Sequence, residues 1–189
     1  MLMLLLILST TFVTNSLAQI QLFEYPYLQP LTTFQTSKFL GTWYQISRTP
    51  NQYEIDQKCS IIGYALHDYS PLTAYIASTD IKTGELSRLP ASDTARELYL
   101  AQWDFRYPAN LEASNGVTSI LDTDYVNWAV KTLVQPSQNR PGYELIVWIL
   151  SREKTLSKIF YERALNVLRK NNIPIDSLAL VDQNYCYIS

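Results

Sequence analysis

The sequence predicts an all-β domain, an up-and-down barrel or a sandwich, with one α-helix near its C-terminus. Three observations predict it. Eight short candidate strands follow one another between residues 41 and 151 at near-regular spacing, with no helical segment between them. One strongly amphipathic segment comes after them, and the strand just before it is apolar on both faces.

The first eighteen residues stand apart. "MLMLLLIL" is a compact apolar run, followed by polar residues and then Ser16-Leu17-Ala18, with small residues at the two positions a signal peptidase inspects. No Lys or Arg precedes Lys38, and the run is too short to span a bilayer. Residues 1–18 are expected to be a secretory signal, cleaved after Ala18, and residues 19–189 a single domain. The lead-in that follows, "QIQLFEYPYLQPLTTFQTSKFL", is interrupted by Pro26 and Pro30 and reads as extended chain.

The strands come next. "TWYQISR", "KCSIIGYALH", "LTAYIAST", "GELSRL", "ARELYLAQWDF", "VTSILDT", "NWAVKTLVQ" and "YELIVWILS" are separated by turn signals at 70–71, 83–84, 115–116 and 141–142. In "TLSKIFYERALNVLRKNN", Leu156, Ile159, Phe160, Ala164, Val167 and Leu168 recur at helical spacing as one apolar stripe. Ser151 or Thr155 is the expected cap and Asn171-Asn172, ahead of Pro174, the stop. The doubly apolar "LIVWIL" needs cover on its outer side, and this helix supplies it. A short last strand, "SLALVDQ", precedes Cys186.

Composition limits the function. The chain has 189 residues, 47% of them hydrophobic, and a net charge of −2 without a basic stripe, which argues against a nucleic-acid partner. Cys59 and Cys186 are the only cysteines, and an oxidising compartment pairs them, leaving no free thiol for catalysis. His67 is the only histidine; with no second His and no free Cys to complete a metal site, a surface or turn role is expected.

One stretch raises a question that the rest answers. In "FLGTWYQISRTP", a glycine and a tryptophan stand two apart at the head of a strand, as if a bulky ring had to plug a bend. Gly41-Thr42-Trp43 resembles the first signature of the lipocalins, Thr123-Asp124-Tyr125 the second, and Arg152 after the eighth strand the third. The three occur in order, with family-like spacing and the helix directly after. The resemblance runs from about Thr33 to Ser189 and is strongest toward the apolipoprotein D group and the insect bilin-binding lipocalins, through "NNIPIDSLALVDQNYC" and "VWILSREKTL".

The resemblance implies an eight-stranded antiparallel up-and-down barrel with the helix packed outside, wide enough for one small ligand, as lipocalin barrels are. Trp43 would fill the closed end beneath Arg152, with Asp122 or Asp124 orienting a nearby turn, and Cys59–Cys186 would match a family bridge. The resemblance also points Trp148 inward, and with the family register strand parity then implies a ligand-facing lining. It comprises Ile76, Ser78, Leu98, Leu100, Gln102, Thr118, Ile120, Asn127, Ala129, Lys131, Leu133, Glu144, Ile146 and Leu150. Trp128 and Val130 would lie under the helix, and Tyr53 and Ile55 in a lid loop over the open end. Lys131 is the expected partner of an anionic or hydrogen-bonding ligand end.

The expected function is a secreted, non-enzymatic carrier of a small hydrophobic ligand: a bilin, a fatty acid or other lipid, a retinoid or carotenoid, or a sterol. No cofactor or metal is required. The family contains an isomerase that uses a cavity thiol, but here both cysteines are assigned to the bridge. The expected state is a monomer or weak homo-oligomer, with a candidate cell-surface receptor and no stable membrane insertion. The alternative is a secreted scaffold that binds a protein through its loops or the N-terminal "YPYLQP". Deleting residues 19–32 is then expected to abolish partner binding and spare ligand binding.

Overall fold

The computed structural model describes residues 19–66, 72–95, 100–107 and 115–186. The expected signal segment 1–18, His67 and Leu98 lie outside them. Ten strands form one antiparallel sheet: β1 (Ile20–Leu22), β2 (Gly41–Arg48), β3 (Gln57–Ala65), β4 (Leu72–Asp80), β5 (Leu86–Ala95), β6 (Gln102–Arg106), β7 (Gly116–Thr123), β8 (Trp128–Pro136), β9 (Tyr143–Ser151) and β10 (Ala179–Leu180). Strands β2 to β9 pair each with the next, and β9 also pairs with β2, so the sheet closes on itself. The result is the eight-stranded barrel, with β1 added beside β9 and β10 beside β2. Closure leaves these eight strands without a free edge.

Residue alternation builds two cores. Inside lie Trp43, Ile62, Tyr64, Leu72, Ala74, Trp103, Phe105, Ile120, Ala129, Leu133, Ile146, Trp148 and Leu150. Outside, Leu121, Trp128, Val130, Val134, Leu145, Val147 and Ile149 meet Ala164, Val167 and Leu168 of helix α2 (Lys158–Lys170). A short helix, α1 (Thr36–Phe39), precedes β2. The doubly apolar β9 is explained as the sequence implied, with one face filling the barrel and the other under α2 and the N-terminal segment.

Three bulges, at 45/47, 58/61 and 120/122, re-aim side chains along β2, β3 and β7. Cys59, in the second bulge, bonds to Cys186 and fastens the C-terminal segment to the wall.

Four expectations are corrected. Helix α2 is capped by Ser157, whose Oγ accepts from Phe160 N, while Ser151 Oγ donates to Thr155 O instead. Ile159 is 69% exposed, whereas Leu156 and Phe160 pack against the cluster that Ala164, Val167 and Leu168 join.

The fourth and fifth strands are divided differently: β5 runs through Pro90 to Ala95, and β6 begins only at Gln102. Pro90 pairs with Tyr75, but β6 ends opposite Ser92, so no described strand lies on its other side to need its missing N–H. Finally, the lead-in is docked. Gln21 pairs with Glu144, Leu31 N donates to the Ile120 carbonyl freed at the β7 bulge, and Gln29 N donates to Asn171 Oδ1. Ile20–Leu22, Gln29 and Leu31 thus bond to the rest of the domain, and a deletion of residues 19–32 would remove these contacts along with any partner surface.

Candidate functional site

The closed end is an aromatic floor. Gly41 adopts φ +91°, a left-handed conformation that glycine tolerates without strain, and turns the chain into β2. Trp43 is fully buried and donates Nε1–H to Phe39 O at 2.9 Å. Its ring lies 4.9 Å from Phe39, which in turn meets Phe34, Tyr64 and Trp103. The Arg152 guanidinium sits 3.7 Å over the Trp43 ring and donates to the carbonyls of Lys38, Thr42 and Tyr125. Partial burial draws its pKa below the ordinary arginine value.

Asp124, rather than Asp122, holds the floor turn. It accepts from the backbone N–H groups of Val126, Asn127 and Trp128 and from the Asn127 side chain. Partial burial opposes ionisation, but these donors prevail and hold its carboxyl below the usual carboxylate range. Asp122 accepts only the adjacent Thr123 N–H among the described residues. Thr123 Oγ1 donates to Trp128 O, and Tyr125, at φ +66°, lets the turn close.

Above the floor, the barrel interior receives Ile76, Thr118, Ile120, Ala129, Lys131, Leu133, Ile146, Trp148 and Leu150, as parity implied. Lys131 is 2% exposed, and its Nζ lies 4.9 Å from the Trp148 ring centroid, 5.6 Å from Tyr64 and 5.7 Å from Phe105. These rings come from β9, β3 and β6, so the ammonium reaches toward the barrel axis. Ser78 is also buried, and its hydroxyl donates to Gln57.

Three lining expectations are corrected. Gln102 faces outward, bonding Ser119 on the outer side of β7; Trp103 and Phe105 hold the inward positions of β6. Leu100 lies half-buried in the bend before β6 rather than in a strand. Asn127 belongs to the floor turn, where its amide binds Asp124.

The open end carries a polar network. In the loop between β2 and β3, Glu54 accepts from Gln45 Nε2 at 2.7 Å, Asn51 Nδ2 at 3.0 Å and Trp148 Nε1 at 3.0 Å. Arg48 lies 3.7 Å from the same carboxylate and donates to Gln45, Ser60 and the carbonyls of Glu54 and Gln57. A second group joins Glu144 to Gln21, Gln135 and Ser137, with Tyr53 and Tyr107 hydrogen-bonded to Gln135. Burial, reinforced by Tyr53 and then by the Glu54 and Glu144 charges, pushes the Tyr107 hydroxyl well above its ordinary value and keeps it protonated. Tyr53 thus turns inward over the interior, whereas Ile55 is 63% exposed beside an outer cleft of about 240 Å³.

Gln45, Arg48 and Glu54 were not singled out from sequence. Parity from Trp43 places Gln45 inside, but the bulge after it, which also swings Arg48 inside, has no sequence signal.

Comparison with known proteins agrees with this geometry. A lipocalin-like domain is matched over residues 34–183. Insecticyanin-A of Manduca sexta is 25% identical over 162 residues, covering 85% of each chain. Apolipoprotein D of Macaca fascicularis is 26% identical over 162 residues (81% of this chain, 79% of the relative), and the bilin-binding protein of Pieris brassicae 22% over 137 (70% and 69%). The solved structure of insecticyanin from Manduca sexta superposes with a TM-score of 0.72 at 23% identity, covering 87% of this chain and 89% of that one. Lipocalins bind small hydrophobic ligands, and the Pieris brassicae relative is named for binding a bilin. With its barrel, its plugged floor and a domain match spanning most of its length, this chain belongs to the lipocalin family.

Proposed function

We propose that this protein is a secreted, non-enzymatic carrier that holds a small hydrophobic ligand inside the barrel, between the aromatic floor and the polar mouth. The observation that carries the reading is Lys131. It is a buried ammonium ringed by Trp148, Tyr64 and Phe105 in an otherwise mostly apolar lining. Such a lining recognises a flat or elongated apolar body, and the ammonium selects one anionic or acceptor-bearing end. Bilins, retinoids, carotenoids and fatty acids with a terminal acid fit this chemistry. The likeness to a bilin-binding protein and to insecticyanin supports the reading.

The test is a fluorescence titration of the mature protein with biliverdin, retinoic acid, a long-chain fatty acid and a sterol. Trp43, Trp103 and Trp148 all lie inside the barrel and report on an occupant. Saturable quenching by one class, reduced in Trp148→Phe and weakened for acids in Lys131→Met, is expected. Absence of quenching by every class refutes carriage of these ligands.

A second reading, protein binding through the N-terminal segment, draws on Phe23 at 94% and Tyr27 at 85% exposure. Phe23→Ser with Tyr27→Ser tests it without unfolding the wall; unchanged association with cell-surface extracts eliminates it.

A further inference from the structure

Two polar atoms inside the barrel have no hydrogen-bond partner among the described residues. Trp103 Nε1 and Thr118 Oγ1 are buried and make no hydrogen bond among the described residues, and both residues are fully buried. The large majority of buried side-chain polar atoms are satisfied in folded proteins, so each orphan calls for an explanation. These two are not scattered. Trp103 on β6 and Thr118 on β7 are direct cross-strand partners on the inner face. Direct partners on one face have Cβ atoms about 5 Å apart.

Among the described residues, aromatic rings crowd the first of them. Trp103 is flanked by the rings of Phe34, Phe39 and Tyr64, at 5.4, 5.9 and 5.8 Å between centroids. Aromatic faces accept an N–H only weakly. Thr118 lies opposite Leu133, and Lys131 stands two residues from Leu133 on β8, diagonal to Thr118 and paired with Ile120. A diagonal neighbour on the same face is within reach of a long side chain. An indole N–H, a hydroxyl and an ammonium, all donors, therefore share one sector of the interior.

We propose that Trp103 Nε1, Thr118 Oγ1 and Lys131 Nζ form a subsite for the carboxylate of a hydrophobic acid. The acid's hydrocarbon body extends from there toward Trp148 and the mouth. The inference rests on the carrier reading above and adds to it the ligand's chemical class and its orientation, acid end deep. One carboxylate has enough lone pairs for all three donors. Lys131 supplies the charge, while Trp103 and Thr118 fix where the oxygens lie. Both orphans are then vacancies that the ligand fills, retained at the expense of stability in the free protein.

The experiment compares two probes of equal length, cis-parinaric acid and the corresponding octadecatetraene hydrocarbon, on the full mature protein by fluorescence titration. Wild type is expected to prefer the acid. Thr118→Val, close to isosteric, is expected to weaken the acid about tenfold and leave the hydrocarbon unchanged, the loss of one hydrogen bond to a charged group. Trp103→Phe is expected to lower the acid-to-hydrocarbon ratio similarly, and the ratio cancels any general loosening of the core. Trp128→Phe removes the second orphaned indole N–H, which lies outside the barrel under α2, and is expected to leave the ratio as in wild type. Thr118→Val is further expected to raise the Tm of the ligand-free protein.

Binding of the acid with an unchanged ratio in both Thr118→Val and Trp103→Phe overturns the subsite and leaves carriage intact. Binding of the hydrocarbon in preference to the acid overturns it too. If wild type binds neither probe, biliverdin or a sterol, the carrier reading falls and the subsite falls with it.

Discussion

Removal of the Arg152 side chain tests the physical account of the closed end. Arg152 makes one ring contact and three hydrogen bonds, and these differ in worth. The stacked cation at 3.7 Å from the Trp43 centroid is half-buried, which places its contact at about 1 kcal/mol. The bond to Tyr125 O is part-buried and, being charge-assisted, is worth about 1 kcal/mol. The bonds to Thr42 O and Lys38 O lie at the surface, where water replaces the donor, and contribute about 0.5 kcal/mol each. Arg152→Ala is thus expected to cost about 3 kcal/mol, or about 6–12 °C in Tm for a chain of this size.

The assay is urea unfolding followed by far-UV circular dichroism, with the slope m checked for constancy. Arg152→Lys keeps the charge but not the fork, and is expected to lose about 2 kcal/mol. A double-mutant cycle with Trp43→Leu isolates the ring contact, with an expected coupling near 1 kcal/mol. A loss under about 1 kcal/mol in Arg152→Ala, far below the contact inventory, refutes the assignment of Arg152 as the clamp of the floor.

Replacing both Cys59 and Cys186 by Ser opens a loop of 127 residues and is expected to destabilise by up to about 5 kcal/mol, read as a lower urea midpoint; an unchanged midpoint contradicts it. Asp124 titrates below the usual carboxylate range in the folded state, so its contribution is complete above the unfolded value of about 3.9 and is lost as pH falls through the folded one. Asp124→Asn is accordingly expected to lose about 1–2 kcal/mol at pH 7. That gap from wild type should close toward pH 2; a gap independent of pH excludes the carboxylate as its source. Glu54→Ala leaves Arg48 buried without its carboxylate, at a cost of about 2–3 kcal/mol, since Arg48 keeps other acceptors. Hydrogen exchange in residues 49–56 should accelerate in that variant, and unchanged exchange would show that the latch does not hold the loop.

The parts of this protein that obey period-two alternation and local turn chemistry were readable in advance. Inward Ile146, Trp148 and Leu150 and outward Val147 and Ile149 follow from one parity choice, and the cover for the outer face follows from the stripe on α2. The floor was readable only through the resemblance of Gly41-Thr42-Trp43, Thr123-Asp124-Tyr125 and Arg152 to the lipocalin signatures, and the choice of Asp124 over Asp122 came from the turn geometry. The lining of β6 was not. The segment 95–105 reads as one strand, yet it spans a hairpin, and merging the two arms carried the wrong parity to Gln102. Bulges defeat parity for the same reason: one extra residue after Gln45 turns Arg48 inward, and nothing in "YQISRTP" marks it. The Glu54 and Glu144 networks draw on partners as far as 94 and 123 residues away, which a strand pattern cannot anticipate.

The two ends of the barrel consequently answer to different demands. Around the floor, Arg152 satisfies three carbonyls and stacks on a buried indole, and Asp124 collects four donors. On the inner side of that floor, Trp103 and Thr118 are left unsatisfied among the described residues, beside a buried ammonium. A core selected only for stability would carry a phenylalanine and a valine there, since removing both orphan groups relieves a desolvation penalty. Stability and ligand preference should therefore separate by position. Arg152 variants should shift the Tm while leaving the preference for an acid over a hydrocarbon, whereas Thr118→Val should raise the Tm of the free protein as it erodes that preference. Opposite signs at two sites in one barrel would be difficult to obtain if the interior polarity were only a fault in core packing.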